Sequence, residues 1–413
     1  MPLIRRALEA EIRDIIAVNK AAVLLGPRQA GKSTLAGMLR DAGLFRSFVT
    51  LDESQVFTAA QDDPDGFVAT LDRPAVIDEV QRVPELLLAV KALVDRHEDR
   101  GQFLLTGSAN LLTRRGVADA LPGRVEYAHL WPLTQSEIHG RPGTLLDRLF
   151  AADPPPMSDQ PVGIGAYADA IARGGFPDAY HRSDRRRFGY FQTYVETLVA
   201  SDLADVLAPQ ADPSIALRLL RLLAVRSGEV AVLESFARDL AVSRSTVARY
   251  LDVLEQLFLV HAVRPWSRNL GHRQIKSPKL MLTDSGLLCG MTNATADTLV
   301  TDGGVRGRVL ETFVFQELQR QAGWAGTMIS GLHYYRDRDQ REVDVVVEAA
   351  DGRIVAIETK AAATVRRTDT AGLRFLRDRV GDGFAGGAVL YTGSTTVPLD
   401  DRLWAVPVSG LWA

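Results

Sequence analysis

The 413-residue chain has one cysteine, Cys289, no apolar run long enough to cross a bilayer, and six lysines among its 48 basic residues. A single thiol excludes an internal disulfide and a cysteine-rich zinc site, and it suits a reducing compartment. Without about twenty consecutive apolar residues there is no candidate membrane helix, and the charged, amphipathic start MPLIRRALEAEIRD lacks a signal-peptide core. A cytoplasmic location with no membrane partner is the expectation. The charges nearly cancel, 48 basic against 51 acidic for a net of -3, so a chain-wide footprint for nucleic acid is excluded and any basic surface must be local. Internal repeats and low-complexity tails are also absent. With arginine supplying most of the positive charge, Lys360 raises the question whether it is part of a catalytic site or one charge at the end of an ordinary hairpin.

A chain of this length exceeds one hydrophobic core, so two to four domains are expected. Residues 1–150 alternate apolar runs (AAVLLG, FVTLD, PAVIDE, QFLLTG) with helical patterns, the rhythm of βα units and a parallel sheet. Prolines 154–156 and Pro161 make the stretch 151–165 unable to continue a helix or a ladder, and it reads as a linker between domains. Residues 166–295 are helical in pattern. A break near TDGGVRG, 301–307, leads into a C-terminal α/β domain spanning 296–413.

GPRQAGKS, residues 26–33, follows the strand-like AAVLL and opens the helical TLAGMLRDAG, the context in which a glycine loop and a helix N-terminus can point N–H groups at phosphate. Gly26 and Gly31 give the backbone room, Lys32 is expected to reach the β- and γ-phosphates, and Ser33 to ligate Mg²⁺. Gly26, Pro27, Arg28, Gln29, Ala30, Gly31, Lys32, Ser33 and Thr34 together form the expected ATP-binding segment. PAVIDEVQ then delivers two carboxylates at a strand end. Asp78 is expected to hold the Mg²⁺ shell and Glu79 to orient and deprotonate the attacking water. Ser108, with Asn110 next, stands where a γ-phosphate sensor would follow QFLLTG, although either residue also makes a good helix cap.

The runs GPRQAGKST, LDRPAVIDEVQRVPELLLAVKALVD, FLLTGSANLL and LPGRVEYAHLWPLTQSE resemble the prokaryotic AAA-type ATPases of the origin-recognition-like clade. In that family a C-terminal region similar to PD-(D/E)xK nucleases follows the ATPase, and the likeness continues through RGGFP, 173–177, and KSPKLMLTDSGLL, 276–288. The resemblance makes Arg28 and Gln29 family-typical loop residues. It makes Arg124 of LPGRV either a γ-phosphate arginine or a structural salt-bridge residue. No second sensor arginine is evident after the linker.

VLESFARDLAVSRSTVARYLDVLEQLFLVHAV reads as helix, turn, helix and a strand-like return, a helix-turn-helix with a wing. Ser243 or Ser245 can cap the second helix, whose Val247, Leu251, Leu254 and Leu257 share one face. Residues 214–280 carry 11 basic and five acidic side chains, and Arg244, Arg249, Arg268, Arg273, Lys276 and Lys279 are candidates for a phosphate-facing surface. The same face could instead pack on the chain's own ATPase or on a partner.

EVDVVVEAADGRIVAIETK, 342–360, is a hairpin whose turn decides its chemistry. A two-residue Asp351-Gly352 loop separates Asp344 from Glu358 and Lys360; a three-residue loop ending at Gly352 is equally good turn chemistry and puts all three on one face. Both faces are otherwise apolar, and two buried carboxylates call for a cation. D-x13-E-x-K is then a PD-(D/E)xK constellation: Asp344 and Glu358 holding Mg²⁺, with Lys360 orienting water or stabilising charge. Glu311, in VLETFVFQEL, looks like the further carboxylate such nucleases draw from a preceding helix. The expected fold class is α/β: a P-loop AAA-type core, a helical and winged-helix middle, and a restriction-endonuclease-like C-terminal domain. The expected ligands are ATP, Mg²⁺ and nucleic acid, with further copies of the chain or a regulatory protein as partners. ATP turnover would be coupled to nucleic-acid binding or cleavage, or to a regulatory switch whose nuclease-like domain only binds.

Overall fold

A computed structural model describes residues 3–107, 123–141, 143–155, 162–206, 211–267 and 277–412. The chain divides into two compact units, Met1–Pro132 with Gln256–Phe258, and Leu133–Glu255 with Leu259–Ala413.

In the first unit, strands β1 (Ala21–Leu25), β2 (Ser47–Thr50), β3 (Ala75–Asp78), β4 (Phe103–Gly107) and β5 (Val125–His129) form one sheet in the order β2-β3-β4-β1-β5. All neighbours are parallel. Side chains alternate across a strand, so the continuous apolar run of β1 serves two cores. Ala21, Val23 and Leu25 join one cluster with residues of helices α3 (Ser54–Asp62), α4 (Pro64–Thr70) and α5 (Leu86–Arg96), among them Ala60, Val68 and Val90. Ala22 and Leu24 join the other, with Ile12 of α1 (Leu8–Val18) and Leu35 of α2 (Lys32–Asp41). Because all five strands run the same way, their C-terminal ends share one edge, the edge where open α/β sheets bind ligands.

The second unit begins with helices α6 (Gln135–Ile138), α7 (Leu145–Phe150), α8 (Ile164–Arg173), α9 (Pro177–Tyr180), α10 (Asp184–Val206), α11 (Pro213–Val225), α12 (Leu233–Leu240) and α13 (Arg244–Gln256). An antiparallel pair, β6 (Val260–Val263) and β7 (Lys279–Leu282), follows, and then α14 (Ser285–Thr292), α15 (Ala296–Thr301) and α16 (Gly303–Ala322). A six-stranded sheet closes the unit, ordered β12-β13-β11-β10-β9-β8: β8 (Ile329–Arg336), β9 (Glu342–Ala349), β10 (Ile354–Lys360), β11 (Phe384–Tyr391), β12 (Val397–Asp400) and β13 (Leu403–Pro407), with α17 (Ala371–Val380) between β10 and β11 in sequence. Strands β10, β11 and β13 are mutually parallel, while both margins are antiparallel.

Chain division differs from the sequence expectation in two respects. The first compact unit ends at Pro132, not near residue 150, and the helical segment 166–295 forms one body with the C-terminal sheet. The reason lies in what α7 buries: Leu145, Leu146, Leu149 and Phe150 are all in the core, and Arg353 on β10's side donates from Nη1 to Phe150 O at 2.9 Å. The helix closes at Phe150 through a turn with Ala152 at φ +56°, ahead of the prolines, and its apolar side is already committed to the second unit. A buried polar network ties the helices together as well. Asp284 caps α14 by accepting from Leu287 N–H at 3.0 Å, and its other oxygen accepts from Gly175 N–H at 2.7 Å and Arg320 Nη2 at 3.2 Å. Arg320 also donates to Leu133 O at 2.7 Å, and Glu317 accepts from Gln135 N–H. The runs RGGFP and TDSGLL are therefore two sides of one joint.

The β9–β10 turn is the three-residue alternative. Ala349 N–H donates to Arg353 O at 2.9 Å and Gly352 N–H to Ala349 O at 3.0 Å, with Gly352 at φ +83°, a left-handed position that glycine takes without a Cβ penalty. Ile354 faces Glu348 and Ile357 faces Val345, and continuing that register sets Glu358 opposite Asp344.

Candidate functional site

The phosphate loop leaves β1 at Leu25 and enters α2 at Lys32. Leu130 N–H donates to Leu25 O at 2.7 Å, which brings the following strand exit so close that a Cβ on Gly26 would lie 2.1 Å from Leu130 O. No side chain fits there. Arg6 fixes the far side of the loop, donating from Nη1 to Ala30 O at 2.8 Å and from Nη2 to Trp131 O at 2.6 Å. Pro27 and Ala30 are buried, whereas Arg28, Gln29, Ser33 and Thr34 face solvent and Gly31 is half-buried. The buried Lys32 ammonium folds back on its own loop, donating to Gly26 O at 3.0 Å and Pro27 O at 2.9 Å. Burial pushes its pKa down to about 8, against the opposing pull of Glu79 and Asp78.

Asp78 collects hydroxyls from three elements. Its Oδ1 accepts from Ser33 Oγ at 2.8 Å and from Thr106 Oγ1 at 2.5 Å, and its Oδ2 from Thr50 Oγ1 at 3.1 Å. Thr50 and Thr106 sit at the C-terminal ends of parallel strands and Ser33 in the first turn of the helix that follows β1, which is why residues so far apart in sequence converge. Glu79, next along, is held in the left-handed region at φ +59°; its N–H donates to Thr106 Oγ1 at 3.1 Å and its carboxylate accepts from Gln81 Nε2. A carboxylate ringed by hydroxyls and beside a helix N-terminus is an all-oxygen donor set, which fits Mg²⁺. The sequence singled out Ser33, Asp78 and Glu79; it did not point to Thr50, Thr106, Gln81 or Arg6. For the threonines a clue existed, since both close apolar strand runs on the ligand-binding edge.

Arg124 is not brought to this loop. It precedes β5, whose Val125 lies beside Ala21 at the start of β1, roughly 16 Å of strand from the phosphate loop. There it pairs with Asp95, Nη2 to Oδ2 at 3.0 Å. Ser108 and Asn110 lie outside the described residues, as do Arg268, Arg273 and Lys276.

In the second unit, Asp344, Glu358, Lys360 and Glu311 do converge. Lys360 Nζ donates to Glu358 Oε1 at 2.7 Å, and Asp344 Oδ2 accepts from Thr359 N–H at 2.8 Å. Lys279, expected on a phosphate-facing surface, is instead 3% exposed and inside this cluster. Its ammonium is 2.8 Å from Glu311 Oε1, 2.6 Å from Glu342 Oε1 and 3.9 Å from Asp344 Oδ1. Strand β7 puts Lys279 there by pairing it with Val263 in a buried ladder. Burial pushes Glu358 up to about 8 and Glu311 up to about 7, with Asp344 adding to both. Burial also raises Asp344. Among the described residues no group of three or more His, Cys, Asp or Glu side chains is placed to hold a metal ion. The expected Mg²⁺ set of Glu311, Asp344 and Glu358 is thus not arranged to hold a metal, and a lysine stands beside two of its members.

The sheet and loop of the first unit define a P-loop nucleotide-binding protein. The chain matches an AAA domain model at residues 18–139 and domains of unknown function at 164–298 (DUF8612) and 306–411 (DUF4143). It belongs with uncharacterized proteins of Mycobacterium tuberculosis and Mycobacterium bovis, each 30% identical over 98% of this chain and 83% of the relative. Solved structures with partial similarity include the Walker-type ATPase of Pyrococcus abyssi (TM-score 0.42, 14% identity, 70% of this chain and 96% of that one). The Thermotoga maritima Holliday junction branch migration motor is another (TM-score 0.31, 20% identity, 62% and 88%). No helix among the described residues is long and apolar enough to cross a membrane.

Proposed function

We propose that the chain binds ATP with Mg²⁺ at residues 26–34 and hydrolyses it, and that this turnover controls nucleic-acid binding by the helical part of the second unit. The observation that carries the first half is the convergence of Ser33, Thr50 and Thr106 on Asp78, beside Lys32 and Glu79. Ser33 and Asp78 would hold the ion, which when bound neutralises charge on the β- and γ-phosphate oxygens. Lys32 exchanges two carbonyl acceptors for phosphate oxygens, and the loop N–H groups bind the remaining ones. Glu79 takes a proton from water as its oxygen attacks the γ-phosphorus; the bond from that phosphorus to the bridging oxygen breaks, and ADP leaves with the electron pair. Gln81 steadies the Glu79 carboxylate, and Thr106 links its backbone to Asp78. The test is phosphate release with and without Mg²⁺ for wild type, Lys32→Ala and Glu79→Gln: turnover confined to the wild type in the presence of Mg²⁺ supports the reading, and turnover by Lys32→Ala overturns it.

For the second half, the order α11, a bridge at Val230, α12, α13, β6, β7 supports a winged-helix reading. Ser243 accepts from Thr246 N–H at 3.0 Å at the start of α13, where Ser243, Arg244, Ser245 and Arg249 are exposed. Arg244 is engaged by Glu234 at 3.0 Å, an exposed pair that a phosphate could replace. Duplex retention that falls steeply with salt, and falls further in Arg249→Ala, is expected. One observation favours a second reading, a nucleotide-dependent switch whose nuclease-like part binds without cutting: the lysine among its carboxylates.

A further inference from the structure

The acid cluster of the second unit already contains a cation, and its identity departs from what a nuclease-like constellation calls for. We infer that Lys279 is the resident cation of Glu311, Glu342 and Asp344, as Lys360 is of Glu358, and that the cluster is closed to a divalent metal while Lys279 is in place. This rests on reading that cluster as nuclease-like and is independent of the ATP site.

Three features carry the inference. An ammonium has three donors, and here two of them reach carboxylates at 2.8 and 2.6 Å while the charge sits 5.5 Å from the centre of the Tyr334 ring. The ammonium is satisfied where it lies. Second, Mg²⁺ or Mn²⁺ needs about six oxygens at roughly 2.1 Å, and a positive nitrogen 2.8 Å from Glu311 Oε1 and 3.9 Å from Asp344 Oδ1 opposes that shell. Third, Lys279 is fixed in position: β7 pairs with β6, Val230 bridges to Lys279, and the side chain is buried among its acidic partners. Meanwhile Glu358 Oε2 is buried and accepts no hydrogen bond from the described residues, a position a metal would fill if the amine were removed.

The test uses the full-length, nucleotide-free protein and Mn²⁺ as probe, counting bound ions by electron paramagnetic resonance. Wild type and Asp344→Asn should bind equally, because any ion held elsewhere does not depend on Asp344. Lys279→Met should gain one Mn²⁺ per chain, and Lys279→Met combined with Asp344→Asn should lose it again. If Asp344→Asn removes an ion that wild type binds, the inference is wrong while the nuclease-like reading survives. If a folded Lys279→Met, or the milder Lys279→Gln, gains none, the reading of the cluster as a metal site fails with it. The wild-type comparison decides even where the lysine variants do not fold, and phosphate release from ATP should be unchanged in all of them.

Discussion

Ser33 Oγ donates to Asp78 Oδ1 at 2.8 Å although 45 residues separate them. The bond joins the first turn of α2 to the end of β3, and it is the polar contact a divalent ion would enter. Asp78→Asn keeps an acceptor but removes the charge, so Mg²⁺-dependent tightening of ATP binding should weaken by about 1.5–3 kcal/mol. Calorimetry with and without Mg²⁺ checks this; an unchanged Mg²⁺ effect would place the ion elsewhere.

Thr106 is joined to both acidic residues, donating to Asp78 and accepting from Glu79 N–H. Thr106→Val leaves that N–H and carboxylate without a shared partner. The phosphate-release rate should fall about ten- to a hundredfold, with nucleotide affinity changed only a few fold. Single-turnover kinetics beside fluorescent-nucleotide binding separates the two, and a loss of affinity as large as the loss of rate would assign Thr106 to binding instead.

Arg124→Ala should leave nucleotide affinity at its wild-type value, since the side chain pairs with Asp95 at the opposite strand ends from the phosphate loop. A clear loss of affinity for the variant in dilute protein would contradict that placement.

Asp284, Arg320 and Glu317 form a joint with almost no solvent access. Removing one partner leaves another buried charge uncompensated, so Arg320→Met should cost about 3–5 kcal/mol of stability, read as a lowered denaturation midpoint. A loss no larger than that of an exposed Arg→Met control would remove the joint from the account.

Glu358 and Glu311 also set a pH dependence. Burial raises both above the ordinary carboxyl value of 4.5, to about 8 and about 7, so the folded protein holds protons that the unfolded chain releases. Their contribution is complete below about 4.5 and is lost as pH rises through about 7 to 8. Burial works against the charges on Lys279 and Lys360, yet the neighbouring carboxylates keep both above the usual lysine value, so neither titrates in that window. Glu317, raised to about 8 by burial, adds a slope of the same sign. Thermal stability should therefore fall between about pH 5 and 8, and Glu358→Gln should flatten the fall without abolishing it. Equal slopes in the two proteins would refute the assignment.

What could be read from the sequence was what is local. The strand, loop and helix around Gly26 are contiguous, and the paired carboxylates close a strand whose apolar run is plain. The β9–β10 register followed from turn chemistry, with Gly352 choosing between two loops and the buried faces requiring Asp344 and Glu358 to meet. Long-range pairings were not legible. Nothing near Lys279 in sequence says that β7 will carry it between Glu311 and Glu342, and an arginine-rich neighbourhood suggested a surface instead. The prolines after residue 153 mark where helix and ladder cannot continue, but whether the preceding helix belongs to the domain before or after them depends on where its apolar side is buried.

The most direct test of the ATP site compares wild type with Glu79→Gln in two assays on the same samples, Mg²⁺·ATP binding and phosphate release. In the proposed mechanism Glu79 acts on the attacking water and does not hold phosphate, so the variant should bind ATP within a few fold of wild type and release phosphate about a hundredfold to ten-thousandfold more slowly. Wild-type turnover by Glu79→Gln would contradict the account of how this site works.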